Sequence, residues 1–145
     1  MHEAPENSTI AIDFARSIEK ACISRNPSEI VRHLARQAVW RDDDTVYVGR
    51  DEIWKALNAK WALSLLCTTA HRIELSDSEN IKLVLDAEWQ HSRSGRWYCT
   101  RAVVQVTLDD QSHVATVESR NTIAPISASE RRLTIPMATS FESTR

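Results

Sequence analysis

Residues 38–53 read Ala38-Val39-Trp40-Arg41-Asp42-Asp43-Asp44-Thr45-Val46-Tyr47-Val48-Gly49-Arg50-Asp51-Glu52-Ile53, and their reading decides the fold. Val39-Trp40 is strand-like, Asp42-Asp43-Asp44 is turn-like, and a helix starts on Gly49-Arg50-Asp51-Glu52. In a small helix-plus-sheet domain this order can hold a carboxylate at the mouth of a pocket, where a half-buried acid can work as a general base. The same residues also suit a solvated turn that caps a helix. Both readings of Asp42 stay open from the local sequence.

Upstream, Ile10, Phe14 and Ile18 recur every four residues beside Ala11, Ala15 and Cys22, one face of an amphipathic helix beginning at Ser8. Residues 1–7 are expected to be a loose tail. Asn26-Pro27-Ser28-Glu29 gives a break and a restart: Asn26 can cap, Pro27 suits the first helical position, and Glu29 lies near the positive helix end. Ile30, Val31 and Leu34 supply the buried side of a short second helix. Downstream, a third helix is expected over residues 51–66, with Ile53, Leu57 and Trp61 on one face and Trp54 and Leu65 close by. Trp54 and Trp61 suit either core or pocket lining.

Beyond that helix the period changes to two. Strands are expected over residues 69–75, 81–90, 96–108 and 114–123, separated by polar turns at 76–80, 92–95 and 109–111. Helices followed by a meander predict an α+β domain with helices packed on one face of a curved antiparallel sheet. The domain is expected to span residues 8–136, with a Ser/Thr-rich tail over 137–145.

Alternation sorts the strand residues into two faces. Leu83, Leu85, Ala87 and Trp89 share a side, as do Tyr98, Thr100, Ala102, Val104, Val106 and Leu108, and this apolar face should take the helices. The opposite face carries Asp86, Glu88, Arg101, Glu118 and Arg120, with Glu88 and Arg101 a possible pair. It reads first as an exposed, salt-bridged surface, second as a two-fold dimer interface with Trp97 and Val103, and last as a polar pocket wall.

The 145 residues suffice for one domain with a sizeable core. A net charge of −2 gives no general pull toward nucleic acid or an anionic membrane, and neither is expected as a partner. Cys22, Cys67 and Cys99 are widely spaced and odd in number, with no disulfide framework or zinc spacing, so three reduced, mostly buried thiols are expected. The polar, acidic N-terminus is no signal peptide, and no apolar run approaches the ~20 residues needed to span a bilayer. A soluble cytoplasmic chain is the expectation. The five histidines show no metal-ligand spacing, and two glycines make no phosphate-binding loop, so no metal or cofactor is expected.

The residues Trp40-Arg41, Gly49-Arg50-x-Glu52-Ile53, Lys60-Trp61, Glu88-Trp89, Gly95-x-Trp97-Tyr98 and Ser129-Glu130-Arg131-Arg132 before Pro136 carry a resemblance to a known superfamily. Their order resembles the nuclear transport factor 2-like fold of ketosteroid isomerase and the SnoaL-like polyketide cyclases. The nearest likeness is to a branch known only as a domain of unknown function. The resemblance implies a cone-shaped α+β barrel around a mostly apolar pocket, commonly as a homodimer. The chain departs from its branch at Asp42, where that branch has asparagine. It also departs at Ala102-Val103-Val104, where the branch has Gly-Asn-Glu, and at Ala87, where it has an aromatic residue. These changes point to a more apolar, altered pocket.

Fold alone leaves the chemistry open. In ketosteroid isomerase-like proteins the general base ends the first strand, which the resemblance places at Asp42. Trp40 and Asp42 face the same way, so an inward Trp40 would desolvate that carboxylate. His71 is an acid–base partner or a structural histidine. Tyr47, Tyr98 and Asn121 are candidate donors to a developing oxyanion, with Tyr98 preferred. Trp40, Tyr47, Trp54, Trp61, Trp89 and Asn121 are the candidate substrate contacts. The expected function is a cofactor-independent isomerisation, cyclisation or dehydration of an apolar small-molecule biosynthetic intermediate. The rivals are a non-catalytic ligand carrier and a dimeric interaction module.

Overall fold

A computed structural model describes residues 3–75 and 80–133. In chain order the elements are α1 (Glu3–Ser24), α2 (Ser28–Val31), β1 (Leu34–Asp42), β2 (Thr45–Val48), α3 (Arg50–Trp61), β3 (Ser64–Leu75), β4 (Asn80–His91), β5 (Trp97–Leu108), β6 (Val114–Ile126) and a 3-10 turn, Ala128–Glu130. The tail expected after residue 136 lies outside the described residues, and α1 begins inside the stretch expected to be loose.

Helix α1 forms because its apolar positions fall on one stripe, and Ala11, Phe14, Ala15, Ile18, Ala21 and Cys22 are all buried. Pro27, not Asn26, stands at the N-cap of α2, while Asn26 precedes it in a turn in which its Oδ1 accepts from the Ser28 backbone N–H at 3.1 Å. That helix is a single turn, because Leu34 is already the fully buried first residue of β1. At the start of α3, Gly49 has φ +90°, a backbone conformation that side-chain-bearing residues rarely adopt. Its N–H donates to Ala38 O, and the Arg50 guanidinium donates twice to Leu34 O, which fastens the helix entry to β1.

Two boundaries differ from the sequence reading. Residues 45–48, to which the sequence reading gave no element, form β2, an antiparallel hairpin partner of β1. Helix α3 stops at Trp61 rather than 66, and residues 64–68 extend β3. Leu63, Leu65 and Leu66 are all substantially exposed, so no buried helical face exists there to prolong α3.

The sheet has six strands in the order β2-β1-β6-β5-β4-β3. All pairings are antiparallel except β1 with β6, which is parallel. It curls without closing around the helices, giving the expected α+β cone. Leu83, Leu85, Ala102, Val104, Val106 and Val117 are buried on its inner face against Phe14, Ile18, Ile53 and Leu57.

Two further expectations are corrected. Cys22 and Cys67 form a disulfide that joins α1 to β3, leaving Cys99 as the free thiol among the described residues. Forty-five residues separate the pair, a spacing that carries no signature in sequence. The reduced-thiol premise behind a cytoplasmic location therefore falls. On the outer face Arg101 grips Asp86 through two hydrogen bonds of 2.7 and 3.1 Å, because register sets these two residues opposite each other. Glu88 instead faces Cys99 in register and accepts from the backbone N–H groups of Arg132 and Leu133, both at 2.9 Å. The segment after the 3-10 turn thus covers this carboxylate, while the Arg131 guanidinium lies 3.9 Å above the Trp97 ring.

Candidate functional site

A cavity of about 420 Å³ lies between α3 and the β1–β2 hairpin, lined by Trp40, Asp42, Tyr47, Ile53, Ala56, Leu57, Ala59, Lys60 and Leu63. Strand alternation explains the wall: Trp40 and Asp42 share the inner face of β1, and Tyr47 pairs with Trp40 in register. The i, i+4 spacing of Ile53 and Leu57 brings the buried face of α3 over the same space. The volume matches that of a site for a small organic molecule.

Asp42 is the acidic group of this apolar wall. Its Oδ1 accepts from Asn121 Nδ2 at 2.6 Å, and its Oδ2 lies 3.7 Å from Lys60 Nζ. The carboxylate is about one-quarter exposed and the Lys60 side chain about half. Asp42 thus belongs to the end of β1, and the tight turn begins at Asp43, which has φ +53°.

Asn121 is fully committed. Its Nδ2 donates to Asp42 Oδ1 and to Asp43 Oδ2, at 2.6 and 3.0 Å, and its backbone N–H donates to Asp43 Oδ1 at 3.0 Å. An amide nitrogen has two hydrogens, so none remains for a substrate oxyanion. Asn121 is therefore a support for the acids, not the expected donor. These same bonds hold the Asp43 carboxyl below its usual range.

The other candidates lie elsewhere. His71 lies on β3, the edge strand at the other end of the sheet order from β2, in register with Leu85, and its Nδ1–H donates to Glu19 Oε2 of α1 at 2.7 Å. Trp89 and Tyr98 stack on each other at 4.9 Å between ring centroids, and Trp89 donates to Thr100 Oγ1. They occupy the far end of the inner face, outside the cavity lining. Trp61 packs against the core without lining the cavity. Trp54 turns away, its indole N–H donating to Ser28 Oγ of α2 at 3.1 Å.

Sequence reasoning missed Lys60 and Glu19. Lys60 stood in the Lys60-Trp61 motif, and only the one-turn offset from Ala56 and Leu57 could have placed it at the cavity. Glu19 carried no signal, since its partner lies 52 residues away. Among the described residues, no group of three or more His, Cys, Asp or Glu is placed to hold a metal ion. No described helix is long and apolar enough to cross a membrane.

No curated protein matches the sequence. Solved structures with the same fold include a hexachlorocyclohexane dehydrochlorinase, LinA type 2, with a TM-score of 0.72 at 10% identity over 92% of this chain and 97% of that one. A second is SalBIII, an epoxide hydrolase/cyclase-like enzyme in pyran ring formation in the polyether salinomycin, with a TM-score of 0.71 at 15% identity over 87% and 100%. A third is Rv0760c from Mycobacterium tuberculosis, in complex with estradiol-17β-hemisuccinate, with a TM-score of 0.66 at 11% identity over 79% and 98%. At such identities the likeness establishes the nuclear transport factor 2-like, SnoaL-like fold and leaves the reaction open. The model of the family described as protein of unknown function (DUF1348) matches residues 4–134, nearly the whole domain, and the chain belongs to that family.

Proposed function

We propose that the chain is a cofactor-independent enzyme that moves protons on an apolar small molecule bearing a carbonyl or hydroxyl group, leading to isomerisation, cyclisation or dehydration. The observation that carries this reading is the pairing of Asp42 with Lys60 on the wall of an otherwise apolar cavity. Asp42 Oδ2 takes a proton from the carbon beside the carbonyl. The Lys60 ammonium stabilises the oxygen on which charge accumulates, and Tyr47 offers a phenolic donor in the same space. Asn121 fixes the carboxylate rotamer, so the base is already oriented when substrate arrives. His71, held by Glu19 on the opposite edge strand and outside the cavity lining, is the second acid–base group for a substrate that extends beyond the cavity along the inner face. The reading includes a homodimer, which sedimentation velocity checks.

A ligand carrier is the second reading, favoured by the engagement of both Asp42 oxygens. The interaction module has less support, since a pure interaction module needs no pocket and this fold keeps an open cavity of about 420 Å³. The test is proton exchange in D2O with a panel of enolisable, apolar ketones, followed by NMR. Loss of the α-proton signal that requires Asp42, and disappears in Asp42→Asn, supports the enzyme. Tight ketone binding without exchange in either protein supports the carrier and rejects the base.

A further inference from the structure

The disulfide and the Glu19–His71 pair occupy one seam. On α1, Cys22 follows Glu19 by three residues, close to one helical turn, so both face β3. On β3, Cys67 precedes His71 by four residues, an even spacing that puts both on the same face. The S–S bond therefore lies next to the hydrogen bond between Glu19 and His71 along two parallel tracks.

Packing of α1 on β3 holds the two elements together, but it does not set the rotamers of the two polar side chains. The imidazole and carboxylate side chains are 21% and 28% exposed, so water competes for both, and the attraction of such a pair does not by itself immobilise a flexible glutamate. Strand β3 is the edge of the sheet and is held there by β4 alone. Besides that packing, the polar and covalent links to β3 at this end of α1 are the disulfide, the pair itself and the guanidinium of Arg25, the residue after the helix, which donates to the carbonyls of Ser64 and Leu65. Thr69, between Cys67 and His71 on the same face, has a buried hydroxyl with no hydrogen-bond partner among the described residues, so it adds no polar lock.

We propose that the Cys22–Cys67 disulfide positions Glu19 against His71, so that the orientation of the imidazole depends on the redox state of that bond. A dithiol breaks the bond by delivering two electrons and two protons, which leave one thiol on each cysteine, and departs as its own cyclic disulfide. The last turn of α1 then slides on the edge strand and the imidazole loses its carboxylate. Any effect on turnover rests on the acid–base role proposed above for His71; the positioning itself does not.

The test uses the full chain labelled with 15N, oxidised or treated with dithiothreitol, with thiols counted by alkylation and mass. The readout is the downfield Nδ1–H proton of His71, assigned by its absence in His71→Gln and expected to vanish in Glu19→Ala, which removes the acceptor. The expected result is a signal in the oxidised chain that is lost on reduction and in the Cys22→Ser/Cys67→Ser variant, with far-ultraviolet circular dichroism unchanged. A signal that persists with free thiols overturns the proposal. Global unfolding on reduction also overturns it, because the bond would then support the whole domain rather than one pair. A signal that responds to reduction, with turnover unaffected by His71→Gln, keeps the positioning and removes the acid–base role.

Discussion

Breaking the Cys22–Cys67 bond should lower thermal stability by an amount that follows from chain statistics. The cross-link spans 45 residues of sequence, and closing a loop of that length removes about 4 kcal/mol of unfolded-state entropy at 25 °C. A chain of 145 residues gains roughly 0.3 kcal/mol/K of entropy on unfolding, so the loss corresponds to a fall in Tm of about 13 °C. The assay is thermal unfolding followed by circular dichroism, comparing the oxidised chain with its dithiothreitol-treated form and with Cys22→Ser/Cys67→Ser. The variant should match the reduced wild type to within a few degrees, since two serines fit where two thiols were. A fall of less than about 3 °C, with free thiols verified in the reduced form, refutes the reasoning: the unfolded chain would then gain little freedom from the cut.

Ile53→Ala removes a fully buried side chain from the wall shared by the cavity and the core, and should cost about 2–5 kcal/mol, read as a shift in the urea midpoint. His33 lies below its ordinary value of 6.5, chiefly through burial and then through Arg32. The folded state thus resists its protonation, and this contribution to stability is intact above pH 6.5 and declines as pH falls from there toward the folded-state value. Urea midpoints between pH 7.5 and 5 check it, and an identical slope in His33→Asn would remove the assignment. Trp54→Phe should cost no more than ~1 kcal/mol and leave ketone affinity unchanged, because its indole serves α2 rather than the cavity; isothermal titration decides.

The sequence made some of this site legible because its signals are local. The period of two in β4 to β6 sorted the inner from the outer face, and the same alternation placed Trp40 and Asp42 together on β1. Gly49 before Arg50 marked the helix start, since a φ of +90° suits glycine best. The hidden parts depend on register or on distant partners. Strand β2 is short and mostly exposed, so it lacks an alternating buried face to announce it. Arg101 chose Asp86 over Glu88 through a pairing register that no single strand contains. The disulfide and the Glu19–His71 bond join helix to sheet across 45 and 52 residues, where spacing carries no information. Asn121 was picked out as a candidate oxyanion donor, but its saturation by Asp42 and Asp43 depends on how β6 runs beside the end of β1.

The parallel seam between β1 and β6 also governs when the site comes into being. The hydrogen bond from Asn121 to Asp42 closes a span of 79 residues, so neither the N-terminal helices nor the hairpins of the meander can form it on their own. Pairing between such remote strands is slow relative to local contacts, and its loop-closure entropy must be met before any contact rewards it. During synthesis the carboxylate of Asp42 stays without its amide until β6 has emerged. The walls of the cavity come from residues 40–63 and can gather early, but the amide that orients Asp42 arrives among the last events of folding, so an oriented base would report a finished sheet.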